Sequence, residues 1–245
     1  ALFAEPADPA EPLAAAQARK NAHLGALIEL APGQDVLEIG CGWGGFAEHA
    51  ARLGARVHGI SLSREQIRYA EARLASAGVA DRTQIELRDY RDLDRRYDRI
   101  ASIEMFEAVG EAYWVQYAEA LARSLKSGGI AGLQIITIDP LRFESYRRRP
   151  DFIQRHIFPG GMLPTEDILA QVFANAGLAI TRTVRFGLDY ARTLVLWRER
   201  FEEATVPYRR AIEQHRDITA EGNDLVTLIT VERTLDVVEN YQREN

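Results

Sequence analysis

The sequence predicts an α/β fold: an open, mostly parallel sheet with helices on both faces. Three observations carry this. Short apolar runs of strand length alternate with segments of helical periodicity from residue 13 to residue 186. One strand, Asp35–Gly40, runs directly into a glycine-rich loop and then a helix. Helical segments between strands supply the long crossovers that parallel neighbours need and that a hairpin fold does not contain. The 245 residues, 47% hydrophobic and 27% charged, suit one domain with a substantial core and exclude disorder or a collagen-like chain. We therefore expect a single domain over residues 1–245.

After an acidic, Pro-rich opening, the spacing predicts an amphipathic helix over 13–30, stopped by Ala31-Pro32-Gly33. A strand follows at 35–40, then a helix at 46–53 closed by Gly54. The next strand is expected at 56–61. The helix at 63–77 is announced by Ser63 with Gln66 three residues on, the spacing of a capping box. Strands are predicted at 84–89, 97–105 and 130–138, with a helix at 113–125 that runs out at Gly128-Gly129. From Pro140 to Pro164 the rhythm breaks into a stretch rich in Arg, Phe and Pro, which reads as a cap inserted over the C-terminal ends of the strands. A helix at 165–176, a strand at 179–186, helical residues at 191–215 and a β-branched last strand at 225–231 complete the pattern.

The longest apolar runs fall short of the roughly 18 to 20 residues that cross a bilayer. A net charge of -6 argues against nucleic acid, whose binding needs uncompensated basic clusters. The basic residues are almost all arginine, Lys20 and Lys126 being the lysines. One cysteine, Cys41, makes no internal disulfide or cysteine metal cluster and points to a reducing, cytoplasmic setting. The opening residues lack the layout of a signal peptide and an initiator Met, so the natural N-terminus is expected to lie upstream.

The segment Glu38-Ile-Gly40-Cys41-Gly42-Trp-Gly44-Gly45 contains Gly40-x-Gly42-x-x-Gly45, the count of a dinucleotide fingerprint. Two details oppose that reading. Glu38 puts an acid inside the first strand, and the second strand ends in Gly59-Ile-Ser61 with no carboxylate for a ribose. The spacing Glu38-x-Gly40-x-Gly42-x-Gly44 suits S-adenosylmethionine (SAM), which brings an ammonium and a sulfonium but no pyrophosphate. Packed glycines admit its methionine portion against bare backbone, and Glu38 favours its cationic end. The plainer alternative is that the glycines shape a turn and Glu38 caps a neighbouring amide. Asp89 and Tyr90 are placed to meet an adenine, and Ser61 and Gln66 a ribose or carboxylate, or else they form turns and caps.

Several blocks resemble the cyclopropane-fatty-acyl-phospholipid synthase family: Val36–Gly45, Ser61–Gln66, Asp98–Glu107, Phe152–Gly161 and Asp189–Leu194. They occur in the family's order and span most of residues 1–200. The resemblance implies a Rossmann-like class I SAM-dependent methyltransferase fold. It implies methyl delivery to a double bond of an unsaturated acyl chain, carried by a phospholipid or another acyl carrier, giving a cyclopropane, methylene or methyl-branched product. It implies cofactor contacts at Gly40, Gly42, Ser61, Leu62, Gln66, Tyr90 and Ile103, to which the loop reading adds Glu38, Cys41, Gly44 and Asp89. In the family a bicarbonate base is held by residues matching Glu107, Tyr190 and the backbone of Ile136, with a histidine and a cysteine. Here Gln134 stands in place of that histidine, and the cysteine falls just before Ala1, in a piece that in relatives helps close the site. An amide donates a hydrogen bond but carries no proton, so bicarbonate loses support.

An isolated alkene is a weak nucleophile that must be held in line with the methyl donor and kept from water. Tyr190, Phe106 and Phe158 are aromatic faces that suit the resulting cation, with core packing as the plainer role. Glu107 is placed to accept the released proton, or else is a first-turn helix acid. Arg147, Arg148 and Arg149, among Phe143, Tyr146 and Phe152, suit lipid phosphates or an acyl carrier, and equally suit pairing with nearby acids. Peripheral contact with the inner face of a membrane, and a homo-oligomer or partner subunit, are compatible with these features. Two other functions stay open: methylation of a small amine or natural product, and a silent subunit that binds SAM or lipid.

Overall fold

The computed structural model describes residues 1–3, 11–204 and 225–233. Its centre is a seven-stranded sheet in the order β3-β2-β1-β4-β5-β7-β6. The strands are β1 (Asp35–Ile39), β2 (Arg56–Ser61), β3 (Thr83–Leu87), β4 (Tyr97–Ile103), β5 (Leu125–Thr137), β6 (Leu178–Arg185) and β7 (Leu225–Arg233). The first five pair in parallel, and β7 runs antiparallel between β5 and β6. The strand order reverses beside β1, so a crevice opens beyond the C-terminal ends of β1 and β4.

The helices are α1 (Leu13–Leu27), α2 (Gly45–Arg52), α3 (Arg64–Ser76), α4 (Phe106–Val109), α5 (Trp114–Ser124), α6 (Pro140–Arg148), α7 (Glu166–Asn175) and α8 (Gly187–Ala204). They cover both faces and make two cores. On one face α5 and α7 press Trp114, Tyr117, Leu121, Leu169 and Phe173 onto Leu37, Ile39, Ile100 and Leu133. On the other, Leu24 and Ile28 of α1, Phe46 and Ala50 of α2 and Leu74 of α3 cover Val36, Val57 and Ala101. Alternation along each strand separates the two sets, since successive side chains point to opposite faces.

Strand registers align Gly59, Glu38, Ala101 and Gly132 in a row across β2, β1, β4 and β5 on the α1 face. Three members of this row are glycine or alanine; Ile85 and Cys41 fill the space at Gly59, and Leu24 and Ile28 that at Gly132. A β-carbon built on Gly132 would lie 2.4 Å from Ile28 Cγ2 and 2.6 Å from Leu24 Cδ1. The glycine at 132 thus sets how closely α1 seats.

Several expected boundaries shift. The first helix ends at Leu27 rather than residue 30, because Glu29 takes a left-handed φ of 53° and the Leu30 N–H turns back to the Gly25 carbonyl. The fifth helix does not run to Gly128-Gly129: it stops at Ser124, and Leu125 already pairs with Tyr97 as the start of a long β5. β3 ends at Leu87, which leaves Asp89 capping a short 3-10 turn at Tyr90–Asp92. The 140–164 segment, expected as an inserted cap, holds α6 and a π-helical turn at Ile153–Ile157. The last long helix starts at Gly187 rather than 191, and the part expected beyond Ala204 lies outside the described residues.

Gly132→Ala is expected to lower unfolding stability by about 1–3 kcal/mol in urea titration, the usual cost of overpacking. An unchanged midpoint would contradict the close seat of α1.

Candidate functional site

Beyond the end of β1 the chain enters the glycine loop. Gly40 has φ 75° and Gly44 φ 76°, backbone that L side chains rarely adopt. A β-carbon on Gly40 would also lie 2.8 Å from Met105 Cγ, so this position joins the loop tightly to the end of β4. The backbone at Gly42 faces open space. The N–H groups of Gly40 and Cys41 both reach the Ile60 carbonyl at 3.0 Å, fixing the loop to β2. Trp43 lies outward, edge-on to Tyr69. Cys41 is buried, and desolvation, reinforced by the neighbouring Glu38 charge, pushes its thiol up to about 12, so it is no thiolate.

Glu38 is 3% exposed. Its carboxylate accepts from the Ala47 N–H in the first turn of α2, the amide-capping arrangement, yet Oε2 is buried with no hydrogen-bond partner. Burial lifts its pKa to about 8, against the pull of Lys20 and of that N–H. A buried acceptor left open beside glycine backbone fits a cationic group.

At the end of β2 the Ser61 hydroxyl donates to Gln66 Oε1 at 2.9 Å and accepts from the Ser63 N–H at 3.1 Å. Ser63 in turn accepts from the Gln66 N–H at the start of α3. Cap and site therefore share the same residues, and Leu62 stands exposed between them. Asp89 is less available than its sequence position implied. Arg91 grips both its oxygens, at 2.9 and 2.7 Å, and holds its pKa down. Tyr90 is buried edge-on against Tyr117.

The ends of β4 and β5 bring the remaining predicted residues together. Ile103 stands opposite Gln134 in register, and both lie on the α1 face. The next residue, Glu104, has φ 51°, a strained conformation for a non-glycine and one that ends the strand. Its N–H donates to the Gln134 carbonyl at 2.8 Å, and its carboxylate accepts from Gln134 Nε2 at 2.6 Å. Gln134 is buried, with Oε1 unpartnered. Three residues on, Glu107 accepts from the Ile136 N–H at the end of β5, while its Oε2 is inaccessible and has no partner. Desolvation raises Glu107 to about 8, opposed by the Ile136 N–H. Tyr190, on α8, packs with Ile103 and Ile136 on the same side of the sheet. The preceding residue, Asp189, accepts from the Phe3 N–H at 2.8 Å, and Arg192 lies over the Phe3 ring.

Sequence reasoning missed Glu104. Its acidic character was visible beside Glu107, but its left-handed φ and its grip on Gln134 exist only once β4 and β5 are in register. Phe106 is not at the site: it is buried, stacked on Trp114 at 5.6 Å in the opposite core. Phe158 is exposed on the 153–158 turn. Arg147 is engaged by Glu111 and Glu144, and Arg148 by Glu144. A cavity of about 330 Å³ opens at the opposite, N-terminal end of β1 to β4, lined among others by Arg56, His58 and Tyr97. Its charges are largely internally paired, Arg56 with Asp35 and His58 with Glu86.

Residues 1–219 match the family model described as mycolic acid cyclopropane synthetase. The tuberculostearic acid methyltransferase of Mycobacterium tuberculosis is 43% identical over 201 residues, covering 82% of this chain and 47% of that protein. The cyclopropane-fatty-acyl-phospholipid synthase of Escherichia coli is 36% identical over 200 residues, 78% of this chain and 48% of its own length. The chain thus spans about half the length of these curated relatives. Among solved structures, the mycolic acid cyclopropane synthase CmaA1 complexed with SAH (S-adenosylhomocysteine) and CTAB superposes with a TM-score of 0.79 at 24% identity, over 91% of this chain and 86% of that one. That likeness identifies the fold as the Rossmann-like class I methyltransferase fold.

Glu107→Gln tests the burial of this carboxyl. Its folded pKa lies near 8 against an unfolded value of 4.5, so between these pH values the folded state holds a proton the unfolded chain has lost. Wild-type stability therefore falls as pH rises through that window. The glutamine keeps an oxygen for the Ile136 N–H and does not titrate. The variant's advantage in unfolding free energy is expected to grow by on the order of 3 kcal/mol from pH 5 to pH 9. A constant difference would show that Glu107 is solvated.

Proposed function

Because the chain belongs to the mycolic acid cyclopropane synthetase family, we propose that it is a SAM-dependent C-methyltransferase acting on the double bond of an unsaturated fatty acyl chain. The observation that carries this reading is the set of open, buried acceptor oxygens on Glu38, Gln134 and Glu107 beside a glycine loop at the C-terminal end of the sheet. These suit a cationic cofactor and a reaction that passes through positive charge.

SAM, when bound, supplies an electrophilic methyl group. Gly40, Gly42 and Gly44 give its methionine portion bare backbone, Glu38 favours its ammonium, and the Ser61–Gln66 pair offers hydroxyl and amide contacts to its polar groups. Ile103 and Tyr190 form the apolar side against which the alkene is held. As the alkene carbon takes the methyl, the neighbouring carbon becomes cationic, and the ring of Tyr190 stabilises it. Glu107 then accepts the proton through Oε2 while the Ile136 N–H fixes its other oxygen. Gln134 directs one amide N–H to Glu104 and, unlike the histidine of the family, has no titratable proton, so support for a bicarbonate ion is weakened. We therefore assign the proton to Glu107 directly. The methyl's bond to sulfur breaks as its bond to carbon forms, leaving the thioether SAH, and loss of the proton to Glu107 closes a cyclopropane or leaves a methylene or an unsaturated methyl branch. Leu141 of α6, Phe158 and Leu188 of α8 are exposed apolar side chains that we assign to contact with the lipid or its carrier.

Methyl-labelled SAM incubated with vesicles of an unsaturated phospholipid is expected to pass label into the acyl chain. Absence of label there, with SAH binding intact, would overturn the assignment. Glu107→Gln should lower kcat by at least about 100-fold, the scale of general-base catalysis, with SAH affinity held within about threefold. Wild-type kcat should climb with pH to a plateau above about 8, where Glu107 is ionised. A flat profile, or turnover retained in the variant, would remove Glu107 from this role.

A further inference from the structure

Tyr190 takes part in the proposed reaction, yet it is carried by α8, whose seat on the rest of the molecule the mechanism leaves unexplained. The first three residues supply that seat. Ala1 and Phe3 are buried with Leu13 and Ala16 of α1, and Leu196 of α8 packs against the same cluster. The Leu2 N–H donates to the Ala16 carbonyl at 3.1 Å, and Arg19 Nη1 donates to the Leu2 carbonyl at 3.2 Å, so Leu2 is tied to α1 through both its backbone groups. The next N–H, that of Phe3, turns to α8 and donates to Asp189 Oδ1 at 2.8 Å. The Arg192 guanidinium lies 4.0 Å over the Phe3 ring. Asp189, Arg192 and Leu196 follow one another at helical spacing and share one face of α8. α1 is itself seated on the sheet by Leu24 and Ile28 against Gly132, so a continuous strap runs from the sheet through α1 and residues 1–3 to α8.

We propose that Asp189 is a positioning residue acting through Tyr190: by holding the Phe3 N–H it ties the first turn of α8 to α1 and fixes the rotation of the helix that aims Tyr190. The tyrosine is the next residue, about 100° round the helix. Clamping the face of Asp189, Arg192 and Leu196 therefore holds the Tyr190 side chain against Ile103 and Ile136 on the sheet. Thr193 Oγ1 donates to the Asp189 carbonyl at 2.8 Å and closes the same turn. Loss of the carboxylate leaves the Phe3 N–H without its acceptor, the first turn of α8 rolls, and the ring leaves the place where the cationic carbon forms. Asp189 touches neither cofactor nor substrate in this role. The inference rests on the proposed part of Tyr190 in methyl transfer.

Three readouts test it: kcat with SAM and vesicles of an unsaturated phospholipid, SAH affinity by calorimetric titration, and hydrogen exchange of the 187–196 amides by mass spectrometry. Asp189→Ala is expected to lower kcat by about 10- to 100-fold, the scale of a displaced reacting group, while SAH affinity stays within about threefold. Exchange over 187–196 is expected to rise at least about tenfold, with the amides of α5 unchanged. Asp189→Asn removes the charge and its attraction to the helix N-terminus but keeps Oδ1 for the Phe3 N–H, so all three readouts should stay within about threefold of wild type. Phe3→Ala opens the strap from its other side and should raise the same exchange. Wild-type exchange in Asp189→Ala, raised exchange with unchanged kcat, or an Asn variant as impaired as the Ala variant each overturns the proposal. Should Asp189→Ala fail to unfold cooperatively, Phe3→Ala carries the test, and wild-type exchange there overturns it as well. A wild-type chain that binds SAH but transfers no methyl refutes the functional reading alone, and exchange in the variants still decides on the strap.

Discussion

An ionisable carboxylate in the middle of a parallel sheet is costly, and the site is organised around the one at Glu38. Its neighbours across the strands are Gly59 and Ala101, with Gly132 beyond, so the row holds one long side chain among three small ones. That spacing admits α1 from one side and lets the first turn of α2 offer its Ala47 N–H. A hydrogen bond and a buried ammonium together offset part of the desolvation, but not all of it, and the carboxyl stays well above its ordinary pKa. What remains is a buried oxygen, Oε2, without a partner two residues before Gly40, which on the proposed reading meets the cationic end of the cofactor.

The same logic recurs one strand over. Glu107 is held through the Ile136 N–H and kept from water, while Glu104 is strained and clamped to Gln134. Three carboxylates within one end of the sheet would repel each other in a solvated cluster. Burial that leaves Glu38 and Glu107 largely protonated resolves the conflict. It also leaves a base poised near neutral pH, where a general base is most effective.

Much of this was legible in the sequence because it depends on local spacing. The glycine count, the acid two residues before Gly40 and the Ser63–Gln66 cap are properties of short segments, and each lies where it was expected. Family resemblance brought in Glu107, Gln134, Ile136 and Tyr190, which are far apart in sequence and which the structure gathers on one face. What local reading could not supply depended on register. Leu125 reads as the end of a helix but pairs with Tyr97, and of the two readings open for Asp89, adenine contact or turn former, the structure has it capping the Tyr90–Asp92 turn with Arg91 on its oxygens. Phe106 sits beside Glu107 in sequence and on the opposite face in space. Glu104 carries no motif at all, since its left-handed turn and its bond to Gln134 exist only after β4 and β5 are assembled.

The most direct measurement is a crystal structure of the chain with SAH and a long-chain alkyl ligand. The predicted result places the methionine portion of SAH along Gly40–Gly44 with its amino group on Glu38, and the alkyl chain against Ile103 and Tyr190 with its reacting region at Glu107 Oε2. SAH bound instead in the cavity lined by Arg56, His58 and Tyr97 at the N-terminal ends of the strands, or an alkyl chain remote from Glu107, would contradict the proposed site.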